Sequence, residues 1–178
     1  MSGLITIKDR QFKPYISKEK IAYAVKHVAQ GINEELKDAN PLFLAVLNGS
    51  FMFAADLLRE ITIPCEISFV KLASYQGLSS SGKVTDLIGL NETVEGRTVV
   101  IIEDIVDSGV TIETLMSLLK EKKAGRIKVA TILMKPAAYT KTIPIDYIGF
   151  EIANDFVVGY GLDYDGQGRN LNEIHVLA

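Results

Sequence analysis

The sequence predicts an α/β fold, a mainly parallel sheet flanked by helices, and three observations carry that prediction. Thr98-Val99-Val100-Ile101-Ile102 is apolar or β-branched throughout, with no alternation. Such a run marks a strand buried on both faces, as strands are when helices cover both sides of a parallel sheet. Residues 42–47 repeat the pattern. The segments after each run carry apolar residues at helical spacing, and strand, helix, strand in that order implies right-handed crossovers.

The elements follow in chain order. Ser17 is placed to cap a helix whose Ile21, Val25, Val28, Ile32 and Leu36 form one apolar stripe, ending before Asn40-Pro41. Residues 42–47 are the next strand, and Asn48-Gly49-Ser50 turns the chain into a helix faced by Phe51, Ala54, Ala55 and Leu58. Residues 66–72 alternate as a strand does. The strand at residues 98–102 ends on Glu103 and Asp104. From Thr111, which is read as a cap, to Lys123, the residues Ile112, Leu115, Met116 and Leu119 recur at helical spacing, with Lys120, Lys122 and Lys123 in the last turn. Residues 126–134 and 145–150 are two further strands. No repeat or linker interrupts the chain, so its 178 residues read as a single domain.

Composition narrows the function classes. Net charge is −3 with Lys and Arg scattered, which gives no basic stripe for sequence-independent nucleic-acid binding. A single cysteine, Cys65, excludes an intrachain disulfide and suits a reducing cytoplasm. Residues 1–12 hold no apolar region of the signal-peptide kind. Residues 42–58 are greasy, but Asn48, Gly49, Ser50 and Asp56 break the run, whereas a span needs about twenty mostly apolar residues. No membrane segment is expected.

Residues 98–111 carry the chemistry. Glu103 and Asp104 fall where α/β sheets collect ligands, at the carboxyl end of a buried strand. The helix that follows starts at a turn containing Ser108, Gly109, Val110 and Thr111, and its first N–H groups lack intrahelical partners, so a phosphate fits there. No lysine lies in this cradle, which suits a monophosphate better than a triphosphate. Carboxylates repel phosphate, so Glu103 and Asp104 are read as accepting from sugar hydroxyls or helping to hold a hydrated metal. A solvated strand end followed by an ordinary turn is the weaker reading, because Asp107 adds a third acid and Ser108 and Thr111 two hydroxyls to the same short stretch.

Three other motifs lead elsewhere and fail. Gly77-Leu78-Ser79-Ser80-Ser81-Gly82-Lys83 has the spacing of a nucleotide-triphosphate loop, but Val84 stands where Ser or Thr should reach magnesium and no helical stripe follows. Its Gly and Ser content suits a mobile lid instead. Adjacent acids followed by Lys135-Pro136 suggest a receiver domain, which would need two more strand-helix units between those features. His27 and His175 are too few for a dense metal cluster and lack a nucleophile partner.

Residues 99–111 resemble the ribose-phosphate signature of the type I phosphoribosyltransferases. Phe156-Val157-Val158-Gly159-Tyr160-Gly161-Leu162-Asp163-Tyr164, followed by Arg169-Asn170-Leu171, resembles the base-binding and pyrophosphate-side segment of their hypoxanthine-guanine branch. Ser74-Tyr75 resembles the start of that branch's closing loop. The resemblance covers residues 42–171. It implies a core at about residues 40–150 and a small hood formed by the terminal segments, 1–16 and 151–178. It also implies roles. Glu103 and Asp104 form the ribose-hydroxyl or metal-shell pair, and Asp107, Ser108, Gly109, Val110 and Thr111 form the 5′-phosphate loop. Lys135 donates to the purine 6-oxygen, Phe156 stacks on the base and the Val157 backbone reads its edge. Asp163 binds magnesium, Arg169 faces pyrophosphate, Tyr75 belongs to the lid and Asp107 handles the purine N7 proton. Leu47-Asn48-Gly49-Ser50 resembles the pyrophosphate loop, although that loop more often has a basic residue where Asn48 stands. The implied activity is Mg2+-dependent purine salvage on small-molecule substrates, in a homodimer or homotetramer. The rival reading on the same fold is a nucleotide-sensing regulator that binds RNA or DNA.

Overall fold

The computed structural model describes residues 3–74 and 85–178. Its centre is a six-stranded sheet of β3 (Leu42–Val46), β4 (Glu66–Ser74), β5 (Thr85–Ile88), β6 (Thr98–Val106), β7 (Arg126–Met134) and β8 (Tyr147–Glu151), in the order β5-β4-β3-β6-β7-β8. All neighbouring strands are parallel except the β4–β5 pair. The predicted α/β class with a mainly parallel sheet is therefore the observed one. The antiparallel edge strand β5 was not foreseen in the sequence.

Helices α1 (Lys18–Glu35) and α2 (Phe51–Glu60) cover one face, and α3 (Val110–Glu121) covers the other. The stripe read in the first helix is the buried one: Ile21, Val25, Val28 and Ile32 face the sheet and Leu36 closes it off. Each strand residue chooses a side. Phe43 and Ala45 of β3 join the α1/α2 layer, whereas Leu42, Leu44 and Val46 join the α3 layer. Fully burying such a side chain contributes about 1.5–3 kcal/mol. The two layers thus fix β3 and β6 as the rigid centre on which the site loops stand.

The terminal segments form a second sheet, four-stranded and antiparallel, of β1 (Ile5–Ile7), β2 (Arg10–Ile16), β10 (Ile174–Leu177) and β9 (Val157–Val158), in that order. Tyr160, Leu162, Ile174 and Val176 continue the α1/α2 core into it. Tyr160 also donates from its hydroxyl to Asp56 on α2 at 2.8 Å. Among the described residues no helix is long and apolar enough to cross a membrane.

Three local expectations need correction. Strand β6 does not stop before the acids. Ile105 and Val106 still pair with Leu133 and Met134, so Glu103 and Asp104 lie inside the strand. Thr111 is not the cap of α3; Gly109 holds that position at φ +84°, in the left-handed region that glycine enters without strain. Ser17 stands at the cap of α1, but its side chain makes no capping hydrogen bond.

Candidate active site

The carboxyl end of β6 and the turn into α3 build the first half of the site. Glu103 is buried, and burial followed by the adjacent Asp104 charge pushes its carboxyl well above the ordinary range. Burial also raises Asp104, whose Oδ1 accepts the Ile105 N–H at 2.9 Å. Two neighbouring acids without a described cation on Glu103 favour a ligand that brings hydroxyl donors or positive charge. Beyond them a hollow of about 80 Å³ is lined by Asp107, Ser108, Gly109, Val110 and Thr111. The first helical bond of α3 runs from Glu113 N–H to Gly109 O, so the preceding N–H groups face this hollow as anion donors.

This turn has a brace that was not read in the sequence. Thr140 donates from its hydroxyl to Ser108 O at 3.1 Å, and Lys141 pairs with Glu113 at 2.6 Å. A Cβ on Gly109 would collide with the Tyr139 ring. The loop after β7 therefore presses on the turn that opens α3. Only a contact between two separate strand-helix units could reveal it, and no local pattern encodes such a contact.

A second cavity, of about 370 Å³, opens beside the acids. Asn48, Gly49, Glu103, Asp104, Asp163 and Arg169 all line it. Gly49 is clamped there. A Cβ on it would run into the Asp104 carboxylate, and a Cβ on Gly161, at φ +100°, would run into Gly49 O. Ser50 anchors the turn from below, fully buried and donating to Val46 O at 2.6 Å. Arg169 pairs with Asp163 at 2.6 Å and donates to Gly161 O at 2.7 Å, and Asp163 accepts the Gly166 N–H at 2.6 Å. A larger hollow, about 560 Å³ between β1 and residues 166–171, has Arg169 as its sole charged lining residue and offers no comparable chemistry.

The remaining site residues join these halves. Lys135 follows β7, is buried, and stands 3.4 Å from Asp107 Oδ2. Phe156 is 47 % exposed, its ring backed by Phe12 at 6.3 Å and by Tyr164 edge-on at 5.9 Å. Tyr164 is in turn fixed by donating to Asp9 at 2.8 Å. Leu177 N–H donates to Phe156 O at 3.0 Å, so antiparallel alternation leaves the Val157 N–H and C=O on the unpaired edge of β9. Tyr75 and the glycine-serine segment 77–83 lie outside the described residues. His27 is exposed on α1 and His175 is buried in β10.

Glu103, Asp104 and Asp163 do not form a ready cage: among the described residues no three His, Cys, Asp or Glu groups are arranged to hold an ion unaided. The donors still fit magnesium, which takes one or two carboxylates and completes its shell with water and substrate phosphates.

Comparison with known proteins agrees with this geometry. Residues 15–165 match the phosphoribosyl transferase domain model. The chain is 43% identical over 166 residues to the hypoxanthine-guanine phosphoribosyltransferase of Bacillus subtilis, covering 93% of this chain and 92% of that protein. It is also 43% identical over 166 residues to the bifunctional protein TilS/HprT of Listeria innocua, covering 93% of this chain but only 26% of that longer protein. A crystal structure of a Staphylococcus aureus hypoxanthine phosphoribosyltransferase superposes with a TM-score of 0.85 at 32% identity, covering 93% of this chain and 91% of that one.

Proposed function

The chain belongs to the phosphoribosyl transferase family, and from that premise we propose that it is a purine salvage enzyme. It transfers the 5-phosphoribosyl group from 5-phosphoribosyl 1-pyrophosphate to N9 of hypoxanthine or guanine, giving IMP or GMP and pyrophosphate. The observation that carries the reading is the continuity of three subsites. The small hollow at α3 leads past Glu103 and Asp104 to the cavity of Asp163 and Arg169, with Lys135 and Asp107 paired beside them.

The geometry, taken with the resemblance, supports the following roles. Ser108, Gly109, Val110 and Thr111 hold the 5′-phosphate, and Glu103 and Asp104 accept from the two ribose hydroxyls. Asn48 and Gly49 border the pyrophosphate. Phe156 presents its ring to the purine face, the free edge of Val157 meets the base edge, and Lys135 donates to the 6-oxygen. As the C1′–O bond to pyrophosphate breaks and the C1′–N9 bond forms, the sugar acquires oxocarbenium character, as in other glycosyl transfers. Asp107 takes the purine N7 proton, which leaves N9 the nucleophile. Arg169 stabilises the negative charge gathering on the leaving group.

Asp163, with Glu103 or Asp104 beside it, would hold magnesium, which would neutralise charge on the pyrophosphate. Tyr75 and its loop exclude water from the activated sugar. The enzyme works in the cytoplasm, in keeping with its single cysteine, as a homodimer or homotetramer. Nothing favours the regulatory alternative, since net charge is −3 and Asp107, Lys135 and Asp163 all stand at the site. Mixing the protein with magnesium, 5-phosphoribosyl 1-pyrophosphate and a panel of bases tests the reading. Pyrophosphate release with hypoxanthine and guanine is expected, and its absence with every base would overturn it.

A further inference from the structure

Among its own side chains, apart from the magnesium its acids would hold, the pyrophosphate side of the site has more negative than positive groups, and Arg169 is already paired. The cavity is lined by Glu103, Asp104 and Asp163 against two cations, Arg169 and Lys71. Arg169 is already engaged by Asp163 at 2.6 Å and by Gly161 O at 2.7 Å. The turn itself presents the neutral Asn48. Lys71 is exposed and forms no ion pair with any described side chain.

Its place in the sheet aims it at that turn. Leu47 N–H donates to Val70 O at 2.7 Å, which sets Lys71 beside the Leu47–Asn48 peptide. Val70 and Leu72 both pack into the α3 layer, so strand alternation turns Lys71 to the opposite face, where the turn at Asn48 leads into α2. We propose that Lys71 is a pyrophosphate-binding residue, supplying from β4 the positive charge that the Asn48 turn lacks. The proposal rests on the phosphoribosyl reading for the identity of the anion. Lysine suits the task because it binds phosphate as a point charge on a flexible stem, and so follows the oxygens as the ester becomes a free leaving group.

The test is direct binding of magnesium pyrophosphate by calorimetry, together with steady-state kinetics, on wild type, Lys71→Gln, Lys71→Arg and Lys71→Gln with Asn48→Lys. Lys71→Gln should weaken pyrophosphate binding and raise KM for 5-phosphoribosyl 1-pyrophosphate about tenfold, with KM for hypoxanthine unchanged, as expected for loss of one charge-assisted contact. Lys71→Arg should keep most of the affinity, and Asn48→Lys should restore it in the Lys71→Gln background. Unchanged pyrophosphate binding in Lys71→Gln would overturn the proposal, as would an equal rise in KM for both substrates with a lowered unfolding temperature. A wild type that binds pyrophosphate but never releases it from the ribosyl donor would instead defeat the reading of the reaction, and loss of binding in Lys71→Gln would then still support Lys71 as its anion contact.

Discussion

The proposed sugar-phosphate half of the site and the proposed base half are built in opposite ways. The first comes almost entirely from one continuous stretch, Glu103 to Thr111, carried by a strand buried in both apolar layers. The second is assembled from distant pieces: Lys135 after β7, Phe156 and Val157 at the start of β9, and Phe12 and Asp9 from the first twelve residues. A local segment on a rigid strand fixes its own geometry. A composite surface depends on long-range contacts, and its ring stack and hydroxyl bond are partly exposed. The halves should therefore respond separately to substitution.

The largest effect is expected where they meet. Asp107→Asn should lower turnover by about two to four powers of ten, the usual range for a general acid–base group, in single-turnover assays with saturating substrates. Near-normal turnover would remove Asp107 from the proton transfer. Next in size is the discrimination proposed for Lys135. Adenine, whose exocyclic amine accepts no bond at that position, should react at least about a hundredfold more slowly than hypoxanthine, measured as kcat/KM. Comparable rates would show that the base half does not use the 6-oxygen.

Phe156→Leu sharpens the comparison further. Removing the ring should raise KM for the base by about three- to tenfold, in keeping with the worth of an aromatic contact, and leave KM for 5-phosphoribosyl 1-pyrophosphate unchanged. Equal changes in both constants would mean that the halves are mechanically one. The smallest effect lies away from both. Glu35 is held below the ordinary glutamate range by hydrogen bonds from Lys128 and Tyr147. With its folded pKa depressed, its contribution is present above the unfolded pKa and is lost as pH falls through the folded value. Glu35→Gln should flatten the acid limb of the unfolding temperature by an amount worth less than about 1 kcal/mol, because the pair is half-exposed. A steepened acid limb would reverse that assignment.

The same contrast explains what the sequence revealed. The greasy runs at β3 and β6 and the stripe of α1 were readable because burial on both faces, or along one face, leaves a local mark. The end of β6 was misread because two acids look like a solvated terminus, whereas Ile105 and Val106 keep pairing with β7 beyond them. Periodicity did not expose β2 either. Only Phe12 and Ile16 of its seven residues are buried, and Pro14 interrupts it. The brace of Tyr139, Thr140 and Lys141 on the turn that opens α3, and Tyr164 behind Phe156, are tertiary contacts between separate segments. The proposed residues on both sides of the site were nevertheless named from sequence, because the resemblance runs through both.

The clamp on Gly49 has an evolutionary consequence. A carboxylate oxygen of Asp104 occupies the space that a Cβ at position 49 would need, and a Cβ at position 161 would in turn run into the Gly49 carbonyl. Drift at these positions is therefore coupled: alanine at position 49 requires the carboxylate at 104 to move or be lost, and a side chain at position 161 requires the Gly49 backbone to give way. Selection that keeps Asp104 for the proposed sugar contact therefore also preserves a glycine that never has to touch the substrate through a side chain.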